Sequence, residues 1–160
     1  MKKIFRNSSF TPALLFGIGS VAWLLTEVAY QIYLGNSAGD IRQHGTYVDI
    51  QLHDTYYVIG VIAVMRGLAG CFAIFCGIYF LFPKIFGRPL NRAMGRIHFW
   101  GSFVASWLII WPRWMGYQDY NRFISIAVLL LLLAQLLFIF NLLYSLFARN
   151  PALNGRQIRR

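Results

Sequence analysis

Acidic residues are scarce in this chain. Of its 160 residues only five are Asp or Glu, against 15 Lys and Arg, and the formal net charge is +10. Such an excess occurs in proteins that bind nucleic acid, that lie on anionic lipid or that carry basic loops beside a membrane. An ordinary soluble domain is excluded by the remaining composition, because 58% of the residues are hydrophobic and 12% are charged.

Cysteine is nearly absent, and this excludes a disulfide framework. Cys71 and Cys76 lie five residues apart in one apolar stretch. A helix places them on different faces, too far apart for an unstrained bridge, so we predict two small buried apolar residues. The sequence also lacks an internal repeat, a low-complexity linker and a small-residue cleavage site after its first apolar block. We therefore expect that block to be retained as a membrane anchor.

Long apolar runs are what the sequence has in abundance. Four helices are predicted, at about 10–34, 56–82, 94–112 and 123–147. A helix needs about 20 residues to cross a hydrocarbon core of about 30 Å, and the short third helix has aromatic rings suited to both interfaces. The predicted fold is an all-α polytopic membrane protein, a bundle of four transmembrane helices. Residues 1–160 form one membrane domain with an outer loop at 35–55, an inner loop at 83–93 and a tail at 148–160.

The basic residues are unequally divided between the two sides of this predicted bundle. Eleven lie before the first helix, between the second and third or after the fourth: Lys2, Lys3, Arg6, Lys84, Arg88, Arg92, Arg96, Arg149, Arg156, Arg159 and Arg160. Three lie on the other side: Arg42, Arg113 and Arg122. This asymmetry predicts that both termini are cytoplasmic. It also argues against nucleic-acid binding, because the aromatic residues lie in the spans.

The outer loop returns to the membrane through a dense polar run, His53, Asp54, Thr55, Tyr56 and Tyr57. One interpretation is an interfacial cap, in which Asp54 or Thr55 accepts free amides at the start of the second helix and the tyrosines join an aromatic belt. The other is a cation site, since carboxylate oxygen and imidazole nitrogen are both competent ligands. The residues alone leave both open.

Two segments carry a family resemblance. The run DIQLHDTYYV, followed by FAIFCGIYFLFPKIFGRPLNRAMGRIHFW, resembles subunit I of the haem-copper respiratory oxidases, the cytochrome c and quinol oxidase family. The resemblance implies that the four helices match the last four of the family's twelve, with LHDTYY on the outer side. It also implies a multi-pass protein of a bacterial-type inner membrane, with other respiratory membrane subunits as partners.

The same resemblance exposes a departure at the haem ligands. In the family, the helix after LHDTYYV carries two histidines that ligate the two haem irons, and those positions are Val61 and Ala63 here. Neither side chain can coordinate iron. We expect His44, His53 and His98 to lie outside the spans or at their edges, and the family's copper ligands lie on other helices. No cofactor is therefore predicted, catalysis by this chain alone is not expected, and haem would need ligands from partner chains.

Two further family sites match in part. His53 and Asp54 match positions that help form a magnesium site completed by another subunit, so the resemblance implies possible Mg²⁺ binding there. The family also has an arginine pair that holds haem propionates in an outer loop. Arg113, within WPRWMGYQDYNRF, can be aligned with this arginine pair in more than one way, so no propionate-binding role is carried over to it.

Two charged residues interrupt the predicted spans. Glu27 lies in the first helix and Arg66 in the second, at similar distances from their outer ends, about 10 and 16 Å. Because a lone charge in lipid is expensive, we predict a buried ion pair or a shared polar network between them; separate snorkelling to the outer interface is the alternative. Gln135 and Asn141 in the fourth helix are also deep enough to require polar partners.

The sequence favours a non-catalytic accessory or assembly subunit of a respiratory electron-transfer complex. One alternative is a haem- or quinone-binding subunit that contributes to electron transfer with partner chains. The other is a small transporter, suggested by the four intramembrane polar residues just named.

Overall fold

A computed structural model of the chain describes residues 10–36, 47–52, 55–114 and 120–147, and their side chains within 11–33, 59–111 and 122–147. These residues form four helices and one hairpin. The helices are α1 (Phe10–Asn36), α2 (Val61–Phe86), α3 (Arg92–Trp114) and α4 (Tyr120–Phe147), and the strands are β1 (Tyr47–Leu52) and β2 (Thr55–Gly60).

Three of the described helices are long and apolar enough to cross a membrane. Their candidate spans are Thr11–Tyr33 in α1, Val61–Phe86 in α2 and Arg122–Phe147 in α4. Helix α3 has 23 residues, which is sufficient length at 1.5 Å per residue. Its first turns carry Arg92 and Arg96 and lower its apolar content. The crossing of α3 and the side on which the termini lie stay predictions.

The hairpin corrects the sequence prediction at the start of the second helix. Residues 56–60 were predicted as the start of the helix but belong to β2. This strand pairs antiparallel with β1 in a register that places Leu52 opposite Thr55 and Tyr47 opposite Gly60. The capping interpretation of Asp54 or Thr55 is wrong, because α2 begins five residues later with Gly60 as its N-cap. The β-branched and aromatic residues of TYYVI favour an extended backbone when a partner strand is available.

The second helix also ends later than predicted. It continues through Pro83 to Phe86, four residues beyond the predicted end at residue 82. A proline in the last turn removes one backbone hydrogen bond and is tolerated more easily there than in the middle of a helix. The helix stops at Gly87, whose φ of 64° is left-handed. Glycine adopts this conformation without the steric cost that other residues pay, and it commonly terminates helices.

The four helices pack as two close pairs joined by aromatic side chains. Helix α1 lies against α2 and helix α3 against α4, with α1 also contacting α3. Rings from all four helices fill the centre, and Phe16 is fully buried within 5.5 Å (centroid to centroid) of the rings of Phe72, Phe75, Tyr79 and Phe99. These large rings allow α2 to reach α3 and α4 by side chains although their backbones stay apart.

Two glycines permit the closest helix approaches. A Cβ at Gly19 would lie 2.5 Å from the Phe72 ring, and one at Gly95 would lie 2.6 Å from Pro12 Cγ. Both distances are shorter than a carbon–carbon contact, so these two positions require a residue without a side chain. Small residues at helix crossings are typical of membrane bundles.

The outward faces of the bundle are apolar. Leu25, Ile74, Leu132 and Phe147 are between 58% and 80% exposed, and many other large hydrophobic side chains share this exposure. A surface this apolar is far beyond the patches that soluble monomers tolerate. It fits a protein whose solvent is lipid.

Candidate functional site

The positions that match the family's haem ligands lie in the first turn of α2. Val61 is its first residue and is 3% exposed, and Ala63 points outward. Neither side chain carries a nitrogen, oxygen or sulfur atom that could coordinate iron. The site therefore does not fit a haem held in the family's manner.

His98 lies near the start of α3 and is fully buried in the aromatic centre of the bundle. Its ring lies between 4.7 and 4.9 Å from the rings of Phe16, Phe75 and Phe138. Its Nδ1 shares a hydrogen bond of 3.2 Å with the Tyr79 hydroxyl. Because rings cover it on several sides, His98 has no room for a macrocycle and does not replace the missing ligands.

A short polar line runs along α3 from this histidine. Among the described residues, His98 Nε2 and Ser102 Oγ, one turn further along, are buried without a hydrogen-bond partner. The Gln135 side chain of α4 approaches the imidazole, and Ser106 Oγ donates to the Ser102 carbonyl at 2.7 Å. Buried polar atoms of this kind are commonly satisfied by ordered water.

The connection between α2 and α3 is fastened to α4 by an asparagine pair. The Asn91 backbone N–H donates to Asn141 Oδ1 at 2.9 Å, and Asn141 Nδ2 donates to the Asn91 carbonyl at 3.1 Å. Asn91 also caps α3, because its Oδ1 accepts from the backbone N–H groups of Ala93 and Met94. Asn141 is fully buried, and the partner that it was predicted to need is this backbone.

Two more contacts hold the same connection. Ser145 Oγ donates to the Pro89 carbonyl at 3.1 Å. The Arg88 guanidinium donates to the carbonyls of Ser145 and Leu146 at the end of α4, where a cation satisfies free carbonyls and complements the helix dipole. The segment FGRPLN is thus a structural clamp between helices.

A second polar group lies toward the other end of the bundle. Arg66 Nε donates to Glu27 Oε1 at 2.7 Å, and Gln31 Nε2 donates to the same oxygen at 2.7 Å. The two side chains predicted to pair are therefore in contact across α1 and α2. Glu27, Arg66 and Gln31 form one polar network, and Gln31, one turn from Glu27, was not predicted to belong to it.

The two members of this pair differ in exposure. The Glu27 side chain is 6% exposed and that of Arg66 is 65% exposed, so the prediction of a buried pair is wrong for the arginine. Because α2 begins at Val61, Arg66 also lies closer to the end of its helix than predicted, about 8 Å from the first residue. Most of the Arg66 side chain is therefore at the surface of the bundle.

The remaining predicted features have these outcomes. His53 and Asp54, the predicted metal ligands, lie outside the described residues, as does the side chain of Arg113. Within the part of the chain that the structure describes, no three His, Cys, Asp or Glu residues form a group that could hold a metal ion. Both cysteines are free; Cys71 is exposed and Cys76 is half-buried, so the prediction that both are buried is wrong for Cys71 and holds only in part for Cys76.

The fold and the site define a helical membrane protein that lacks iron-binding atoms at the start of its second described helix. Residues 42–122 match the family model of cytochrome c and quinol oxidase polypeptide I. The matched region contains the hairpin, α2, the clamp and α3. The chain belongs to this family.

Its relatives are large proteins of which it matches one part. It is 28% identical to an alternative cytochrome c oxidase subunit 1 of Bradyrhizobium diazoefficiens, over 89% of this chain and 26% of that protein. It is 33% identical to cytochrome c oxidase subunit 1 of Synechocystis, over 64% of this chain and 22% of that protein. The chain thus spans about a quarter of these relatives. No solved structure matches it.

Proposed function

We propose that this chain is a non-catalytic relative of oxidase subunit I that acts as an accessory or assembly subunit of a respiratory electron-transfer complex. The observation that carries the proposal is the absence of iron-binding atoms from Val61 and Ala63. A chain of this family that keeps the matched segment without those ligands retains a surface for assembly and lacks the means to hold haem in the family's way.

His98 strengthens this proposal. Its Nδ1 is held by Tyr79 and its ring is packed among phenylalanines. Rearranging it into a haem ligand would disrupt the centre of the bundle, where packing is tight and voids are costly. Haem or quinone chemistry by this chain would therefore depend on groups that other chains supply.

The exposed face of Arg66 supports a partner subunit. The guanidinium has five N–H donors, and among the described residues its Nε contacts Glu27. Acyl chains cannot accept hydrogen bonds, and a charge that faces lipid is costly. A partner with an acceptor at this level would satisfy the remaining donors.

The proposed arrangement in the membrane has four crossing helices and cytoplasmic termini. It is supported by the lengths of α1, α2, α3 and α4 and by the eleven basic residues that this topology collects on one side. A bacterial-type inner membrane is the proposed location, consistent with bacterial relatives.

The first test is a reduced-minus-oxidised absorption spectrum of the chain extracted in mild detergent, with a mass-spectrometric inventory of the proteins that copurify. We expect respiratory subunits to copurify. Any haem bands should keep their position and their amount per partner subunit in the variants His98→Gln and His53→Ala, after each variant is shown to retain the thermal stability of the parent. Bands that shift or disappear in a folded variant would assign haem ligation to this chain. A chain that purifies alone would contradict the accessory role.

A further inference from the structure

We propose that one face of α3 binds an anionic phospholipid, with its phosphate on the Arg96 guanidinium. The site, called here the α3 groove, is lined by Ala93, Arg96, Ile97, Trp100, Gly101 and Val104. It has a volume of about 660 Å³, within the range of about 300–1,000 Å³ typical of small-molecule sites. The inference goes beyond the accessory role and uses the proposed membrane topology.

The α3 groove has one charged end and an apolar remainder. Its residues recur every three or four positions and so share one helix face. Arg96 lies in the second turn of α3, and the groove continues from Ile97 to Val104 over about 11 Å of helix. At Gly101 the groove lies against the contact between α3 and α4, because a Cβ there would lie 3.4 Å from Ala134 Cβ on α4. A headgroup at one end and a hydrocarbon chain along the rest match this division.

Arg96 is available for a ligand, whereas the other basic residues of the same side that the structure describes, Lys84, Arg88 and Arg92, have contacts within the chain. Arg88 donates to the end of α4, the Lys84 ammonium lies 3.6 Å from the centre of the Phe80 ring, and Arg92 has an interaction of its own. Arg96 is exposed and, among the described residues, makes no side-chain hydrogen bond or ion pair.

Charge and position favour a lipid over a partner helix at this groove. The proposed topology places Arg96 at the cytoplasmic leaflet, where anionic lipids attract basic residues. Guanidinium groups bind phosphate oxygens in pairs, and Trp100, 55% exposed, is a residue type enriched at this depth. A phospholipid supplies both the phosphate and the apolar chain. A partner helix in the groove would need an acidic or polar residue opposite Arg96.

The test measures which lipid contacts Trp100. The full chain, with any partner that copurifies, is placed in nanodiscs of equal phosphatidylcholine and phosphatidylglycerol, and bromine is carried on the acyl chains of one lipid at a time. Quenching of tryptophan fluorescence, minus that of Trp100→Phe, isolates this position. We expect brominated phosphatidylglycerol to be preferred about fivefold, the enrichment that one basic residue near the surface gives.

Two variants separate the site from general attraction to the membrane. Arg96→Gln should abolish the preference, whereas Lys84→Gln, which removes one charge of the same side outside the groove, should leave it unchanged. Val104→Phe keeps Arg96 and narrows the apolar end, so it should reduce quenching of Trp100 by both lipids. Equal quenching by the two lipids, or equal effects of the two charge removals, would overturn the proposal.

A partner helix in the groove is the remaining outcome. A photo-crosslinking residue at Val104 in the native membrane should label lipid, and a protein adduct there would overturn the proposal. The accessory role would survive either of these failures, because it depends on copurification and on haem ligation and not on what occupies this groove.

Discussion

The two polar regions of the bundle differ in how completely the chain satisfies them. At the end where α2 joins α3, the chain satisfies its own polar groups. Asn91 and Asn141 bond to each other, Ser145 donates to the Pro89 carbonyl, and Arg88 donates to the Ser145 carbonyl. At the other end, Glu27 is buried and receives two donors, but Arg66 leaves most of its guanidinium exposed. The clamp is closed within the chain, and the ion pair is open to its surroundings.

This difference separates what stabilises the chain from what it presents to others. A buried polar group that loses its partner costs free energy whether or not another protein is present. An exposed guanidinium gains or loses with its environment and contributes little to an isolated chain. Variants at the clamp should therefore lower stability, and variants at the pair should act mainly on association.

The largest loss is expected at the clamp. Asn141→Ala leaves the Asn91 backbone N–H without its acceptor and removes one bond to the Asn91 carbonyl, which should cost about 2–3 kcal/mol in the free energy of unfolding. Thermal unfolding in detergent measures this. Leu143→Ala, an exposed position on the same helix, is the control and should change the midpoint far less. Equal shifts in the two variants would show that the clamp contributes no more to stability than an exposed position of α4.

Helix packing should give the next largest effect. At Gly95 a methyl group would meet Pro12, whereas at Gly67, near Arg66, a Cβ finds nothing within 4 Å. Gly95→Ala should destabilise the chain by about 1–2 kcal/mol. Gly67→Ala should be neutral or mildly stabilising in the isolated chain, since alanine has the higher helix propensity. Thermal unfolding in the same detergent tests both variants, and a destabilising Gly67→Ala would show that the half of the bundle near the ion pair is as closely packed as the half near the clamp.

The long helices could be predicted from the sequence because each is a long apolar run. The expected ranges 10–34 and 123–147 lie within three residues of α1 and α4 at both ends. The hairpin could not be predicted in this way, because TYYVIG continues directly into the apolar run of α2. Its strand conformation depends on pairing with β1, a tertiary contact that overrides the local pattern.

The presence of charged residues in apolar helices allowed the contact between Glu27 and Arg66 to be predicted, but not the orientation of the two side chains. Glu27 and Arg66 interrupt apolar helices, so each required a partner, and the structure has them in contact. Which way the guanidinium points depends on the rotation of α2 and could not be read from spacing. The burial of His98 was missed because it lies near the start of its helix. Its aromatic neighbours in sequence were the signal that could have indicated a packed core.

A smaller loss is expected from a single bond of the clamp. Ser145→Ala removes the 3.1 Å bond to the Pro89 carbonyl and should cost about 1 kcal/mol, the net value of one hydrogen bond. Tyr144→Phe, which removes a hydroxyl at an exposed position of the same helix, serves as the comparison, and chemical denaturation in mixed micelles resolves the two. If Ser145→Ala leaves the free energy of unfolding unchanged, the stabilisation by the clamp comes from the asparagine pair and Arg88.

The smallest effect on the isolated chain is expected at Arg66. Its side chain is 65% exposed, and the buried Glu27 carboxylate keeps the Gln31 donor and gains the amide of the new glutamine as another. Arg66→Gln should therefore change the unfolding free energy by less than about 1 kcal/mol. In native membranes the same variant should copurify less respiratory partner, because the donors that face outward are lost. Arg66→Lys keeps the charge but not the planar fork, and partial retention would indicate a bidentate acceptor on the partner. If Arg66→Gln destabilises the isolated chain as much as Asn141→Ala does, the ion pair is a structural element like the clamp, and the contrast between a closed clamp and an open ion pair is wrong. If stability and copurification are both unchanged, Arg66 reaches lipid headgroups by snorkelling, and the partner surface must lie on another face of the bundle.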